Sequence, residues 1–169
     1  MQYYFVQYLI RLFTILLLLI VGVLFFRTFV IEPGIINGRS MEPAFFDDDV
    51  FFINKFSLLF TAPERGDIVQ FFNEETGELS IKRIISLPGE KVIIKQNKVF
   101  IKDSAGNETE LDEPYLAENT ITTSASGEVE GFGPFPENEY FVLGDNREDS
   151  NDSRKIGPIH RTFITGRVF

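Results

Sequence analysis

The chain has 169 residues, about one domain by length, and 44% of them are apolar, too many for a disordered chain. It has no cysteine, which excludes disulfides, thiolate metal centres and thiol catalysis, and a single histidine, His160, excludes a multi-histidine metal site within this chain. Residues 28–169 carry 14 basic against 25 acidic residues, a net of −11 that repels phosphates and argues against a nucleic-acid partner.

The chain opens on its strongest compositional signal. Leu12–Phe26 is fifteen residues without a charge, and Tyr3–Ile10 adds eight more uncharged residues, with Arg11 between the two runs. About 20 apolar residues suffice for a helix to cross the hydrocarbon core. The run ends Phe25-Phe26-Arg27-Thr28-Phe29, without the small residues of a signal-peptide cleavage site. Residues 1–27 therefore read as an uncleaved membrane anchor. Arg11 and Arg27 flank the apolar run and leave its orientation weakly specified, while the acidic body hints at the outer side.

Beyond the anchor the pattern changes to short apolar runs with a period of two, which predicts strands. The candidates in order are Val50–Ile53, Asp67–Phe72, Leu79–Leu87, Lys91–Lys95, Lys98–Lys102 and Tyr140–Leu143. Gln96-Asn97 between the fourth and fifth predicts a two-residue hairpin turn. Residues 103–139 hold ten acids, no Lys or Arg, and Pro114, Pro134 and Pro136, which predicts a solvated, irregular insert. The fold class is mainly β: an anchor helix, then a β-rich domain over 28–169 with its core in 28–102 and 140–169.

Three clusters carry candidate chemistry. Gly38-Arg39-Ser40-Met41-Glu42-Pro43 puts a serine after a glycine that permits unusual backbone angles, a way to present a hydroxyl and an N–H to a carbonyl. Lys82 stands among strand residues, and an inward-pointing lysine loses its charge readily and can act as a base on a serine. The segment from Gly144 to Arg154 packs Ser150, Ser153, four acids and two arginines behind a strand, where Asp–Arg pairs can tie a turn together. Each cluster alone is better read as an ordinary turn, a lysine on a wet strand face or a polar surface loop.

Taken together and in order, the clusters resemble bacterial type I signal peptidase, the leader peptidase family. Gly38–Pro43 resembles its nucleophile box, Glu64–Val69 its R-G-D box and Lys82–Glu90 its lysine box. Gly144-Asp145-Asn146-Arg147, Ser150 and Asp152-Ser153-Arg154 match G-D-N-R-x-x-S-x-D-S-R at every specified position. The resemblance spans nearly the whole chain and is weakest over 103–139. It implies a signal-peptidase/LexA-like catalytic domain that removes signal peptides from exported preproteins after small residues, in an Ala-x-Ala pattern.

The resemblance assigns Ser40 as nucleophile and Lys82 as general base, with Ser150 hydrogen-bonded to the lysine amine. Asp145 would pair with Arg83 and Asp152 with Arg154. The Ser40 backbone N–H would serve the oxyanion hole. Position 38, where one branch of the family has a second hydroxyl donor, is Gly38 here, as in the branch typified by Gram-positive and organellar enzymes. Three further departures are Ser80 at a position often larger, Ser86 where Gly is usual and Ala44 where Thr is usual. The implied location is the cell membrane, single-pass, with the catalytic domain on the extracytoplasmic face. The implied partners are signal peptides, the phospholipid membrane and the nearby Sec-type translocation machinery, with no cofactor. Phe45, Phe46, Phe51, Phe52, Phe56, Leu58, Leu59 and Phe60 cluster after the serine box, and those not in the core would seat the domain against the bilayer. Two other readings stand beside this one: a LexA-like Ser-Lys self-cleaving protein, and a catalytically silent membrane-tethered β domain that binds a partner.

Overall fold

The computed structural model describes residues 2–29, 31–124 and 129–169. A single long helix, α1 (Gln2–Phe29), precedes a body built of strands. Its stretch Tyr3–Phe25 is long and apolar enough to cross a membrane, and its side chains are exposed all round rather than packed on the body. An evenly apolar helix of this kind has no face to bury against a domain and suits a lipid surround.

The body has two antiparallel sheets. The larger runs β1 (Ile31–Ile35), β2 (Val50–Asn54), β11 (Ile164–Val168), β3 (Ile68–Asn73), β4 (Glu78–Ser86), β9 (Glu139–Leu143) and β10 (Ile159–His160) in spatial order. The smaller runs β7 (Glu108–Glu110), β6 (Lys98–Lys102), β5 (Lys91–Lys95) and β8 (Glu130–Phe132). Ile85, Phe141 and Leu143 of the larger sheet meet Val92, Ile94, Val99 and Ile101 of the smaller to form one core, with Phe135 between them. A second core lies on the other face of β3, β4 and β9, where Val69, Phe71, Ile84 and Val142 pack with Tyr140, Ile159 and Ile164. Adjacent Ile84 and Ile85 thus serve two cores, as the two-residue period of a strand requires. A third core of Ile36, Phe51, Ile53 and Val168 underlies the β1–β2 hairpin.

The hairpin of β5 and β6 closes on Gln96 and Asn97, both at positive φ (53° and 61°), with Lys95 opposite Lys98. This is the mirror-image turn that matches strand twist. Strand β1 was not predicted, because Pro33 and Gly34 read as breakers. It pairs with β2 alone, and an edge strand tolerates a residue with no N–H to donate. The residue range 103–139 is less irregular than expected, for it supplies both edge strands of the smaller sheet, β7 and β8. At Ser86 the register of β4 against β9 shifts, and the serine is fully buried with no hydrogen-bond partner for its hydroxyl among the described residues.

Candidate active site

Ser40 lies in the turn that joins β1 to β2. Gly38 takes φ 98°, a region costly for any residue with a Cβ, and its N–H donates to Asp47 Oδ1 at 2.7 Å. Asp49 Oδ2 accepts the Phe46 N–H at 2.7 Å, and the buried Met41 anchors the turn from beneath. Side-chain carboxylates thus satisfy backbone donors that no sheet reaches. Ser40 itself is half-buried, and no described group accepts its N–H. That amide is open to a ligand, whereas the Gly38 amide is already engaged by Asp47.

Lys82 leaves β4 on the same strand face as Ile84 and is only 5% exposed. Its Nζ donates to Ser40 Oγ at 2.8 Å and to the Ile81 carbonyl at 2.8 Å. Burial disfavours the ammonium and lowers its pKa from 10.5 to about 8, although Asp152 and Asp145 pull the other way. A hydroxyl and an amine that is partly neutral near physiological pH are therefore in hydrogen-bond contact.

The segment from Gly144 to Arg154 closes the site from behind. Arg83 grips Asp145 with two nitrogens, Nε at 2.8 Å and Nη2 at 2.5 Å, and its Nη1 reaches the Gly66 carbonyl at 2.8 Å. Asp152 caps the short helix α2 (Ser153–Ile156) and accepts from the Arg154 side chain through both oxygens, each at 2.8 Å. Burial alone would raise the Asp152 carboxyl. Arg154 and the Gly144 N–H outweigh it and hold the group below the ordinary carboxylate range. Asn146 donates its N–H to the Ser40 carbonyl at 3.1 Å and its side-chain amide to the Arg39 carbonyl at 3.1 Å. A Cβ on Gly144 would fall 2.3 Å from Ser150 Oγ and 2.5 Å from the Ser40 carbonyl oxygen, so only glycine lets this loop approach the serine turn.

The hydrogen bond from Ser150 to the lysine amine, expected from the resemblance, is not made in this structure. Ser150 Oγ is buried against Gly144 beside Asp152 and forms no hydrogen bond of good geometry among the described residues. The lysine amine turns instead to Ser40 Oγ and the Ile81 carbonyl.

Sequence reasoning missed a brace from the acidic segment. Arg147, 2% exposed, pairs with Glu113 through both terminal nitrogens, one contact at 3.1 Å, and donates to Thr122 Oγ1 at 2.5 Å and the Gly144 carbonyl at 3.1 Å. Tyr115 lays its ring over the Arg83 guanidinium, 3.9 Å from Cζ to ring centre. An isolated Glu-Pro-Tyr in a run of acids reads as solvated surface, and the Arg147 at the far end of the contact gave no hint of its partner. Among the described residues no cluster of His, Cys, Asp and Glu could hold a metal ion.

A cleft of about 420 Å³ opens in front of Ser40 and Lys82, between β1 and the first half of β4, with Ile36, Met41, Gln70 and Ser80 among its walls. From Leu79 to Lys82, β4 pairs with β3 on one edge, and β9 joins its other edge only from Arg83 onward. The cleft is therefore bordered by two strand edges with backbone groups to spare.

Comparison with known proteins places this geometry in a family. Residues 7–169 match the family described as signal peptidase, peptidase S26. Signal peptidase I P of Bacillus subtilis subsp. natto is 36% identical over 154 residues, covering 89% of this chain and 82% of the relative. Signal peptidase I T of Bacillus subtilis (strain 168) is 38% identical over 152 residues, 85% of this chain and 74% of the relative. A crystal structure of a signal peptidase I from Enterococcus faecalis V583 is similar, with a TM-score of 0.52 and 29% identity, over 64% of this chain and 98% of that one. The relatives favour neither the self-cleaving reading nor the silent binding domain. With the match running from α1 to the end of β11 and the β-rich body shared, the chain belongs to the signal peptidase family, peptidase S26.

Proposed function

We propose that the chain removes signal peptides from exported preproteins with Ser40 as nucleophile and Lys82 as general base. The observation that carries this reading is the 2.8 Å contact between Lys82 Nζ and Ser40 Oγ with the lysine buried. In the first step neutral Lys82 takes the Ser40 proton as Oγ bonds to the scissile carbonyl carbon. The Ser40 N–H, which no described group accepts, faces the oxygen that gains charge. The C–N bond then breaks, and the proton passes from Nζ to the leaving amine. Neutral again, Lys82 takes a proton from water as its oxygen bonds to the acyl carbon; the bond from that carbon to Ser40 Oγ then breaks, Nζ returns the proton to Oγ, and the signal peptide leaves with a new carboxyl group, which ionises in water. Asp145 with Arg83, and Asp152 with Arg154, hold the loop that carries Ser150 behind the pair.

The substrate adds as a strand. An extended peptide in the cleft finds open backbone edges on β1 and on Leu79–Lys82, and alternate side chains point to the cleft floor. Small residues before the cut suit a floor already filled by Ile36 and Met41. Helix α1 spans the cell membrane once, with the body on the extracytoplasmic face beside the Sec-type translocation machinery.

The test is cleavage of a preprotein with an Ala-x-Ala site by the detergent-solubilised full chain, beside Ser40→Ala and Lys82→Ala. Cleavage by the parent at that site, and its loss in both folded variants, is expected. The rate should climb with pH as the lysine sheds its proton near 8. A Lys82→Ala protein that still cuts would overturn the assignment of the base.

A further inference from the structure

We infer that Tyr115 and Glu113 are positioning residues for the Ser40–Lys82 pair, acting through the guanidinium of Arg83 and the buried guanidinium of Arg147. The inference rests on the Ser-Lys chemistry proposed above and extends it to a segment outside the family's recognised boxes.

Two routes lead from this segment to the site. In the first, the Tyr115 ring covers Arg83 at 3.9 Å, and Arg83 holds both oxygens of Asp145, whose side chain is wholly buried. Arg83 follows Lys82 directly in β4, and its side chain leaves by the opposite face. In the second, the Tyr115 hydroxyl donates to Glu113 Oε1 at 2.8 Å, and Glu113 holds Arg147. Arg147 Nε reaches the Gly144 carbonyl at 3.1 Å, and Gly144 lies directly against the Ser40 carbonyl. One small unit therefore steadies the residue beside the base and the loop beside the nucleophile. Burial, with Glu113 next to it, pushes the Tyr115 phenol up, so the hydroxyl stays a neutral donor.

The charged groups that reach Lys82 are Asp145 and Asp152, both from the loop behind it, and each is engaged by an arginine. From β3 the facing residue is Val69, and from the serine turn it is Ser40, neither of them charged at neutral pH. The low pKa of the lysine thus depends on dryness and on two neutralised carboxylates. Removing the ring admits water to the Arg83–Asp145 pair and weakens the hold on Asp145. Both changes favour the ammonium, so the fraction of neutral Lys82 at a given pH falls.

The experiment measures kcat and KM from pH 6.5 to 10.5 for the full chain in detergent, with a preprotein carrying an Ala-x-Ala site. Tyr115→Leu should move the ascending limb of kcat upward by about one pH unit, lowering kcat roughly tenfold at pH 7 with recovery above pH 10. KM should stay within about twofold of the parent, since the ring does not line the cleft. Tyr115→Phe keeps the ring and should rescue most of the shift. If Tyr115→Leu does not fold, Tyr115→Met, which also lacks the ring, carries the same test; Glu113→Gln, which leaves Arg147 without its carboxylate, should lower kcat through the Gly144 loop without raising the limb. In the Tyr115 variant that lacks the ring, an ascending limb that stays in place, or a kcat lowered equally at every pH, overturns the positioning role. Ser40→Ala and Lys82→Ala run alongside. Cleavage surviving in either overturns the Ser-Lys reading itself, whereas cleavage lost in both, with an unmoved limb in the Tyr115 variant that lacks the ring, overturns only the brace.

Discussion

A lysine buried at 5% exposure costs the fold something at every pH at which it carries a proton. Its pKa is 10.5 in the unfolded chain and about 8 in the folded one, so between those values the unfolded chain binds more protons and stability rises with pH. Below about 8 both states are charged and the penalty is complete; above 10.5 both are neutral and it is gone. At ~1.4 kcal/mol per pH unit the gap corresponds to at most about 3 kcal/mol. Lys82→Met should therefore be the more stable protein at pH 7, in urea unfolding of the detergent-solubilised chain, and should lose that advantage by pH 10.5. A Met variant less stable than the parent at pH 7 would show that the hydrogen bonds to Ser40 and Ile81 outweigh the cost of burial. At this scale the sequence was informative about identity and silent about state. The resemblance singled out Ser40 and Lys82, but it showed neither that Asp47 engages the Gly38 amide nor that the Ser150 hydroxyl is left without a partner, both of which are decided by how the turns fold.

Among the elements, those with an alternating pattern and clean turn residues were legible. The β5–β6 hairpin was predicted to the residue because each strand alternates and Gln96-Asn97 tolerates positive φ. Strand β11 was not predicted, since Gly166 interrupts a five-residue run. In the structure a Cβ there would meet Ile53 Cγ2 at 2.2 Å, so the glycine serves packing against β2. The loop from Gly144 to Arg154 was legible as a motif, while its docking partners were not. Gly144→Ala tests that docking. The added methyl meets Ser150 Oγ, which can move, and the Ser40 carbonyl, which cannot move without displacing Ser40 itself. We expect a loss of about 1–3 kcal/mol in unfolding free energy and at least a tenfold loss of cleavage, of order 1.4 kcal/mol in barrier. Adding Ser150→Gly should recover stability more than activity. Full activity in Gly144→Ala would mean the two loops need not touch.

For the whole molecule, α1 and the body meet at one corner. Ile31, the first residue of β1, pairs with Asn54, the last of β2, and the exposed Phe56, Leu59 and Phe60 follow at once. Apolar side chains 73% exposed, as Leu59 and Phe60 are, and this near a helix long and apolar enough to cross a membrane, suit contact with lipid. The chain has no tryptophan, so a single one reports cleanly. In proteoliposomes of the full chain, Leu59→Trp should be quenched by brominated lipid, and Val129→Trp, on the equally exposed insert, should not. Equal quenching at the two positions would remove the case for seating. The arrangement of the larger sheet bears on when the site comes into being. Among the described residues, β1 and β2, which flank Ser40, hydrogen-bond to the rest of that sheet through β11, about 110 residues further along the chain. As the chain emerges during synthesis, Ser40 and Lys82 appear early, while the strand that ties the serine hairpin into the sheet comes last. With the two residues in the proposed roles, cleavage is expected only once β11 has paired.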